Sequence, residues 1–150
     1  MNKKFKVGLI RVLTTEDEEV LQSHGKQIME YLDMIIVSCA DDPGVAEIRK
    51  VLPDIPVTGG GETTVALALK YGSRIGVLGI TDYAPQAYMR MIPDQMILGR
   101  PEGVHSTLDL MTPEGKASVL KLGMKLKEQG AEVIALACTG LATIGIAKDL

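Results

Sequence analysis

The sequence DMIIVSCADDPG, residues 33–44, runs from an apolar segment through a cysteine into an acidic turn. Four apolar residues have the composition of a buried strand, and the Pro-Gly pair that closes the stretch is typical of a turn. A second stretch, EVIALACTG at residues 132–140, has the same form. Cys39 and Cys138, near the ends of these two strands, are the only cysteines in the chain and lie 99 positions apart. The repeated pattern indicates that each strand presents a thiol at its end.

The composition predicts an acidic globular protein. The 150 residues are 46% hydrophobic and 23% charged, and the net charge is −3. Phosphate binding needs a basic face, so nucleic acid is excluded as a partner. No apolar run reaches the roughly 18 residues of a membrane span, so we expect no membrane partner. We interpret the N-terminal MNKKFKVGLI as a first strand rather than a signal peptide, and we expect a cytoplasmic protein with free thiols.

Segments with the length of strands alternate with segments of helical pattern along the chain. Strands are predicted at residues 6–12, 34–39, 55–59, 74–79 and 132–138, with an extended segment at 96–101. Helices are predicted at residues 14–32, 44–52, 60–72, 84–91 and 113–130. The strands are apolar on both faces, which is typical of a parallel sheet covered by helices, so the sequence predicts an α/β fold.

One junction departs from this pattern. In KQIMEYLDMIIVSC, residues 26–39, a predicted helix passes into a strand with essentially no loop, whereas such connections usually take about 2–6 residues. The sequence also stops at IAKDL, part-way through a predicted helix. We therefore expect further residues after Leu32 and after Leu150.

Ligands of open α/β sheets bind beyond the carboxyl ends of the strands, and several small or polar residues fall there. We predict that a pocket at this edge is lined by the backbone N–H groups of Ala40 and Gly140 and by the side chains of Thr81 and Thr139. These groups can donate hydrogen bonds to the oxygen of an enolate, the anion that forms when a carbon next to a carbonyl loses a proton. Gly44 and Gly140 let the backbone approach a ligand closely. The remaining predicted substrate-binding residues are Arg11, Asp41 and Glu62.

Two thiols that face one substrate carbon have a chemical use. Inverting a carbon next to a carbonyl requires removing a proton from one face and returning a proton to the other, so one cysteine acts as thiolate base and the other as thiol acid. Cys39 and Cys138 are the predicted catalytic pair, and a thiol beside a helix start has its thiolate favoured. This chemistry needs no cofactor. His24 and His105 have no partner at ligand spacing, so we predict no metal site and place both side chains in solvent.

Several blocks of the sequence resemble the cofactor-independent aspartate/glutamate racemase superfamily, and most closely its hydantoin racemase branch, which includes allantoin racemase. The blocks are SCADDPGVAEIRK, IPVTGGGETTVALALKYGSRIGVLG and ALACTGLA, in this order, and the resemblance covers most of the chain. It implies two pseudo-symmetric α/β lobes, each a mainly parallel sheet flanked by helices, with the active site between them. We expect the first lobe at residues 1–73 and the second at 74–150. The resemblance also implies a further strand and helix after Leu32 and a C-terminal return into the first lobe.

The resemblance assigns proton transfer to Cys39 and Cys138 and implies racemisation of a hydantoin-type substrate. Glutamate racemases typically carry Asn-Thr after the first cysteine and Thr-His after the second, whereas this chain has Ala-Asp-Asp and Thr-Gly. The acidic turn at Asp41 and Asp42 would repel a dicarboxylate, so a neutral ring or amide fits better. We expect a small-molecule substrate, a hydantoin or an amino-acid derivative, and a homo-oligomer.

Other interpretations remain open at this point. Within the superfamily they are an amino-acid racemase of the aspartate/glutamate type, a maleate-isomerase-like enzyme that adds its thiol covalently, and a decarboxylase that uses one thiol. Outside it, the chain is a ligand-binding α/β domain whose cysteines are structural, because a lone cysteine at a strand end is usually a small buried hydrophobe. Asp41 and Asp42 are interpreted as turn residues rather than acid catalysts. The GGGE motif lacks the Lys-Ser/Thr of a phosphate-binding P-loop.

Overall fold

The computed structural model describes residues 6–10 and 32–150, whose strands form two parallel sheets of three strands each. The first sheet has the order β1-β2-β3, with β1 at Val7–Ile10, β2 at Met34–Val37 and β3 at Val57–Gly59. In its register Val7 lies opposite Met34, and Ile35 lies opposite Val57. Arg11 and the helix predicted before Leu32 lie outside the described residues.

Helix α1, Val45–Val51, connects β2 to β3. The small core of this sheet consists of Ile35, Val37, Val45 and Val57, all nearly inaccessible to solvent. Alternate residues of β2 are buried, as expected for a strand with one face against a helix layer. The turn before α1 needs two left-handed residues, Asp42 with φ 54° and Gly44 with φ 75°. Aspartate and glycine are among the residues that adopt this conformation most readily, so the predicted turn role of Asp42 has a physical basis.

The second sheet has the order β5-β4-β6, with β4 at Ile75–Leu78, β5 at Met96–Gly99 and β6 at Val133–Leu136. All four residues of the central strand β4 are buried, which explains the continuous apolar run in the sequence. The helices that accompany this part of the chain are α2 at Gly60–Ala68, α3 at Gln86–Met91, α4 at Pro113–Glu128 and α5 at Thr139–Thr143. Two 3-10 turns, Asp109–Met111 and Ile146–Lys148, complete the elements described.

Helix α4 begins and ends with the residues that helix physics favours. The hydroxyl oxygen of Thr112 accepts a hydrogen bond of 3.0 Å from the backbone N–H of Gly115, and Pro113 occupies the first helical position. After the helix, Gly130 takes a φ of 94°, which a side chain would resist. The apolar face of α4 buries Val119 and Leu126 in a cluster that also contains Leu78, Leu110, Leu141 and Ile146.

The chain separates into two compact units, Met1–Gly60 and Gly61–Leu150. The sequence placed its lobe boundary later, between residues 73 and 74. Helix α2 accounts for the difference, because its buried residues Val65 and Ala68 lie in one cluster with Ile75 of β4 and with Tyr88 of α3. The predicted lobe limits and the expected further segments after Leu32 and Leu150 stay predictions.

The predicted fold class is confirmed: the chain is an α/β protein with two small parallel sheets flanked by helices. Within the described residues, none of the helices combines the length and the apolar composition that crossing a bilayer requires.

Candidate active site

Cys39 lies two residues beyond Val37, the last residue of β2, at the carboxyl end of the first sheet. Its thiol is free and its side chain is half-buried. The backbone N–H of Cys39 donates to the Val37 carbonyl at 3.0 Å, and its carbonyl accepts from the N–H of Asp42 at 3.3 Å. These two bonds close the chain into a tight turn directly after the strand, so the turn fixes the backbone from which the thiol projects.

The end of the neighbouring strand β3 packs against this turn. A methyl group on Gly60 would lie 3.1 Å from the carbonyl oxygen of Cys39 and 3.4 Å from its amide nitrogen. A methyl group on Gly59 would collide with the side chain of Asp42. Gly60 therefore allows a close approach to the backbone of Cys39 and Gly59 a close approach to the side chain of Asp42, which are structural reasons for these two glycines that are independent of phosphate binding.

Cys138 lies two residues beyond Leu136, the last residue of β6, at the carboxyl end of the second sheet. It is the N-cap residue of α5, with an extended backbone of φ −152° and ψ 132°, and its carbonyl accepts from the N–H of Leu141 at 3.1 Å. Its thiol is also free, and its half-buried side chain packs against the apolar cluster that contains Leu110 and Leu141. The two cysteines thus occupy the same position relative to their own strands.

Thr81, Thr139 and Gly140 follow strand ends of the second sheet, as the sequence predicted. Thr81 comes after β4, the strand next to β6, and its hydroxyl donates to the carbonyl of Tyr83 at 2.8 Å. Thr139 is an exposed residue at the first position of α5. Gly140 is buried, and a methyl group there would lie 3.1 Å both from Thr107 Cγ2 and from Leu110 Cδ1. Thr81 uses its hydroxyl proton within its own turn, which leaves the oxygen as an acceptor.

The predicted substrate-binding residues that follow β2 and β3 differ in how exposed they are and in which element they belong to. Ala40 is half-buried and Asp41 is exposed, both within the turn after Cys39, while Gly44 is the exposed left-handed residue before α1. Glu62 lies in the first turn of α2, where an acid is favoured by the helix dipole. Its carboxylate is 3.9 Å from the guanidinium of Arg90, and the Arg90 side chain is mostly exposed.

An arginine that the sequence did not single out lies at the end of β5. The guanidinium of Arg100 donates to Asp82 Oδ2 at 2.6 Å, to the Val104 carbonyl at 3.1 Å and to Nδ1 of His105. His105 is exposed, in agreement with the sequence, but its ring nitrogen has a cationic donor as partner. The one feature of the sequence that could have identified Arg100 is its position, because it directly follows a strand. From the sequence that strand was predicted only as an extended segment.

Asp109 holds the other end of the same loop. Its carboxylate accepts from the backbone N–H groups of His105 and Ser106, at 2.9 and 2.8 Å, and from the Ser106 hydroxyl at 3.0 Å. These donors, above all the His105 N–H, hold the pKa of Asp109 below its ordinary value of 3.8. The loop between β5 and α4 is therefore fixed by one cation and one anion, each bound to backbone groups.

Within the described residues, neither Cys39 nor Cys138 belongs to a possible metal-ligating group or lines the groove found on the second unit. Among residues 6–10 and 32–150, no set of three or more His, Cys, Asp or Glu side chains could hold a metal ion. A groove of about 430 Å³ lies on the second unit beside Gly123, Met124, Val133 and Leu150. It opens at the amino end of β6, whereas Cys138 lies beyond the carboxyl end of that strand.

The model of the Asp/Glu/hydantoin racemase family matches residues 12–150, and the chain belongs to that family. A search among curated proteins found no match. As a member of a racemase family the protein is an isomerase, which confirms the general reaction class predicted from the sequence.

Proposed function

We propose that this protein is a cofactor-independent racemase of the hydantoin type, in which Cys39 and Cys138 transfer protons at a carbon next to a carbonyl. The observation that supports the proposal most directly is the matched placement of the two thiols. Each is free, half-buried and two residues past the end of a parallel strand, Val37 in one sheet and Leu136 in the other. The carboxyl ends of such strands are where α/β proteins bind their ligands.

The reaction balances with two thiols and one substrate. The thiolate of one cysteine removes the proton from the carbon, which leaves a planar enolate, and the thiol of the other cysteine delivers its own proton to the opposite face. The enzyme then carries its thiolate on the second cysteine, ready for the enantiomer that was just formed. The carbonyl oxygen of the substrate holds the charge of the enolate and needs hydrogen-bond donors. We assign that role to the backbone N–H groups of Ala40 and Gly140, and place Thr139 beside them.

The substrate class follows from the residues next to Cys39. Asp41 is exposed and follows Cys39 by two positions, and Asp42 lies in the same turn. A carboxylate brought near them would meet charge of its own sign, whereas an uncharged ring avoids this repulsion. Hydantoins are uncharged rings with an acidic carbon next to a carbonyl, so they suit the site better than aspartate or glutamate. On the Cys39 side of the hydantoin, we propose contacts from Ala40, Asp41, Gly44 and Arg11.

The proposal is tested by incubating the purified protein in deuterium oxide with single enantiomers. The panel contains 5-substituted hydantoins, allantoin, aspartate and glutamate, and both optical rotation and deuterium incorporation are measured. We expect racemisation of one or more hydantoins with one deuterium in the product. Racemisation of aspartate or glutamate alone would replace the hydantoin assignment with the amino-acid type. Reaction without inversion, by decarboxylation or by double-bond isomerisation, would favour the one-thiol chemistries of the superfamily.

A further inference from the structure

We propose that Arg100 is a positioning residue for Cys138: it anchors the loop Val104–Leu110, and this loop packs on the helical turn that follows the cysteine. The inference rests on the proposed function, in which Cys138 transfers a proton. Arg100 and Cys138 belong to the same compact unit. They follow β5 and β6, the two strands that flank β4, so both lie at the carboxyl edge of one sheet.

Arg100 binds the start of the Val104–Leu110 loop directly. Its side chain is only 25% exposed, and it reaches from the end of β5 to the carbonyl of Val104 and to the ring of His105. The same guanidinium is paired with Asp82 at 2.6 Å, a residue of the loop that follows β4. Arg100 therefore links the loops after two neighbouring strands to the start of the Val104–Leu110 segment.

The Val104–Leu110 segment in turn contacts the helical turn that follows Cys138. Gly140, two residues after Cys138, faces Thr107 and Leu110 so closely that an added methyl group would lie 3.1 Å from each. Leu110 is fully buried in the cluster that contains Leu141 and against which the side chain of Cys138 packs. A shift of the loop would therefore be transmitted to the backbone of Gly140 and to the packing around the thiol, because closely packed interiors transmit displacement.

The role of residue 100 requires a side chain with several hydrogen-bond donors. Arginine carries five N–H donors in a planar fork, so it can bind a carbonyl, a carboxylate and a ring nitrogen at the same time. Because arginine has no acceptor, its contact with His105 Nδ1 is a hydrogen bond only when that nitrogen is unprotonated. A lysine at this position has a single nitrogen at the end of a flexible chain and cannot span the three partners that Arg100 binds.

The test uses two readouts on Arg100→Met, one of which does not depend on racemase activity. The first is kcat and KM for a hydantoin that the wild-type protein racemises. The second is the rate at which iodoacetamide alkylates Cys138 in a Cys39→Ser background, where Cys138 is the only thiol. The matched control is Arg74→Met, since Arg74 also donates to a backbone carbonyl, that of Gln129 at 2.9 Å, but lies at the amino end of β4.

For Arg100→Met we expect kcat to fall about 100-fold with little change in KM, because small displacements of a reacting group have effects of this size. We expect the alkylation of Cys138 to become about tenfold faster, which corresponds to 1.4 kcal/mol in the opening of the loop. Arg100→Lys should give an intermediate value of both, and Arg74→Met should match the wild type. A fall in kcat with an unchanged alkylation rate would place Arg100 against the substrate and overturn the positioning role.

A second variant keeps the test decisive if Arg100→Met does not fold. Asp109→Asn weakens the hold on the same loop at its other end, where the carboxylate binds the N–H groups of His105 and Ser106. It should shift both readouts in the same direction as Arg100→Met. If a folded variant of either residue leaves kcat and alkylation as in Arg74→Met, the inference is wrong. If the wild-type protein racemises nothing while Cys138 alkylation still responds, the proposed function fails and the coupling of Arg100 to Cys138 stands.

Discussion

Gly60 lies against the backbone of Cys39 so closely that a methyl group fits only if the main chain shifts by a few tenths of an ångström. An added Cβ would stand 3.1 Å from the Cys39 carbonyl oxygen and 3.4 Å from its nitrogen. Both contacted atoms belong to the main chain, so neither can rotate away. The glycine-rich end of β3 thus sets how closely the turn after β2 can approach, and with it the position of the thiol.

Gly60→Ala should therefore lower racemisation more than it lowers stability. Alanine at the start of α2 gains up to about 1 kcal/mol of helix propensity over glycine, which offsets part of the steric cost. We expect the melting temperature to change by no more than about 4 °C and kcat to fall at least about tenfold as the Cys39 backbone shifts. Leu67→Ala is the control, because Leu67 is on the same helix and 53% exposed. Wild-type kcat in a folded Gly60→Ala protein would contradict the argument.

The pH dependence of stability should contain a contribution from Asp109. Hydrogen bonds from His105, first, and from Ser106 hold its pKa in the folded protein below 3.8. A carboxylate whose pKa is lowered by folding stabilises the fold at pH values above its pKa in the unfolded chain. That stabilisation is lost as the pH falls through its pKa in the folded protein. The measurement is thermal unfolding of the wild type and Asp109→Asn between about pH 7 and pH 3.

We expect Asp109→Asn to melt at a lower temperature than the wild type at neutral pH. The difference should begin to shrink as the pH falls below 3.8 and should vanish below the folded pKa of Asp109, which lies lower still. Asp94→Asn, a change at an exposed aspartate of the second unit, serves as the control. A difference between wild type and Asp109→Asn that stays constant down to pH 3 would show that the carboxylate charge does not stabilise this loop.

Removing the charge of Asp41 should broaden the substrate range. Asp41 is exposed beside Cys39, and two charges about 4 Å apart in water interact with roughly 1 kcal/mol, or about fivefold in rate. We expect Asp41→Asn to raise kcat/KM for a hydantoin with a carboxylate side chain by about this factor relative to kcat/KM for a neutral hydantoin. The gain should shrink in high salt, which screens exposed charges. Asp54→Asn, at an exposed position of the same unit, should show no such discrimination.

The sequence sufficed for the features that depend on local pattern. The apolar runs at Met34–Val37 and Ile75–Leu78 are strands, and the helix from Pro113 has the predicted start because Pro113 and Thr112 provide local signals. The positions of Cys39 and Cys138 after strand ends followed from the apolar runs at Met34–Val37 and Val133–Leu136. The turn at Asp42 was also readable, since Asp, Pro and Gly in succession have few other conformations.

Features that depend on contacts distant in sequence were not readable. Helix α2 follows β3 directly, and only its buried cluster with Ile75 and Tyr88 shows that it packs in the second unit. Arg100 was overlooked because its partners, Asp82 at 18 positions and His105 at 5, form no recognisable spacing. The close approach of Gly60 to Cys39 becomes visible only once the strands are paired.

Each of the two cysteines should be essential for racemisation. Cys39→Ser and Cys138→Ser should each abolish racemisation, since a serine hydroxyl is a far weaker base than a thiolate at neutral pH. Both variants should fold, because serine differs from cysteine by one atom and each site is only half-buried. Ser38→Ala, a change beside Cys39, is the control and should keep activity.

The two single variants should differ in which enantiomer they exchange. Each keeps one thiol, so each should still remove the α-proton from the enantiomer that presents it to that thiol and replace it with deuterium without inversion. The measurement follows deuterium incorporation separately into each pure enantiomer by mass spectrometry. Opposite preferences of Cys39→Ser and Cys138→Ser would support one base on each face of the carbon. Unimpaired racemisation by either variant would end the two-base mechanism, and loss of all exchange in only one of them would indicate a reaction that depends on a single thiol.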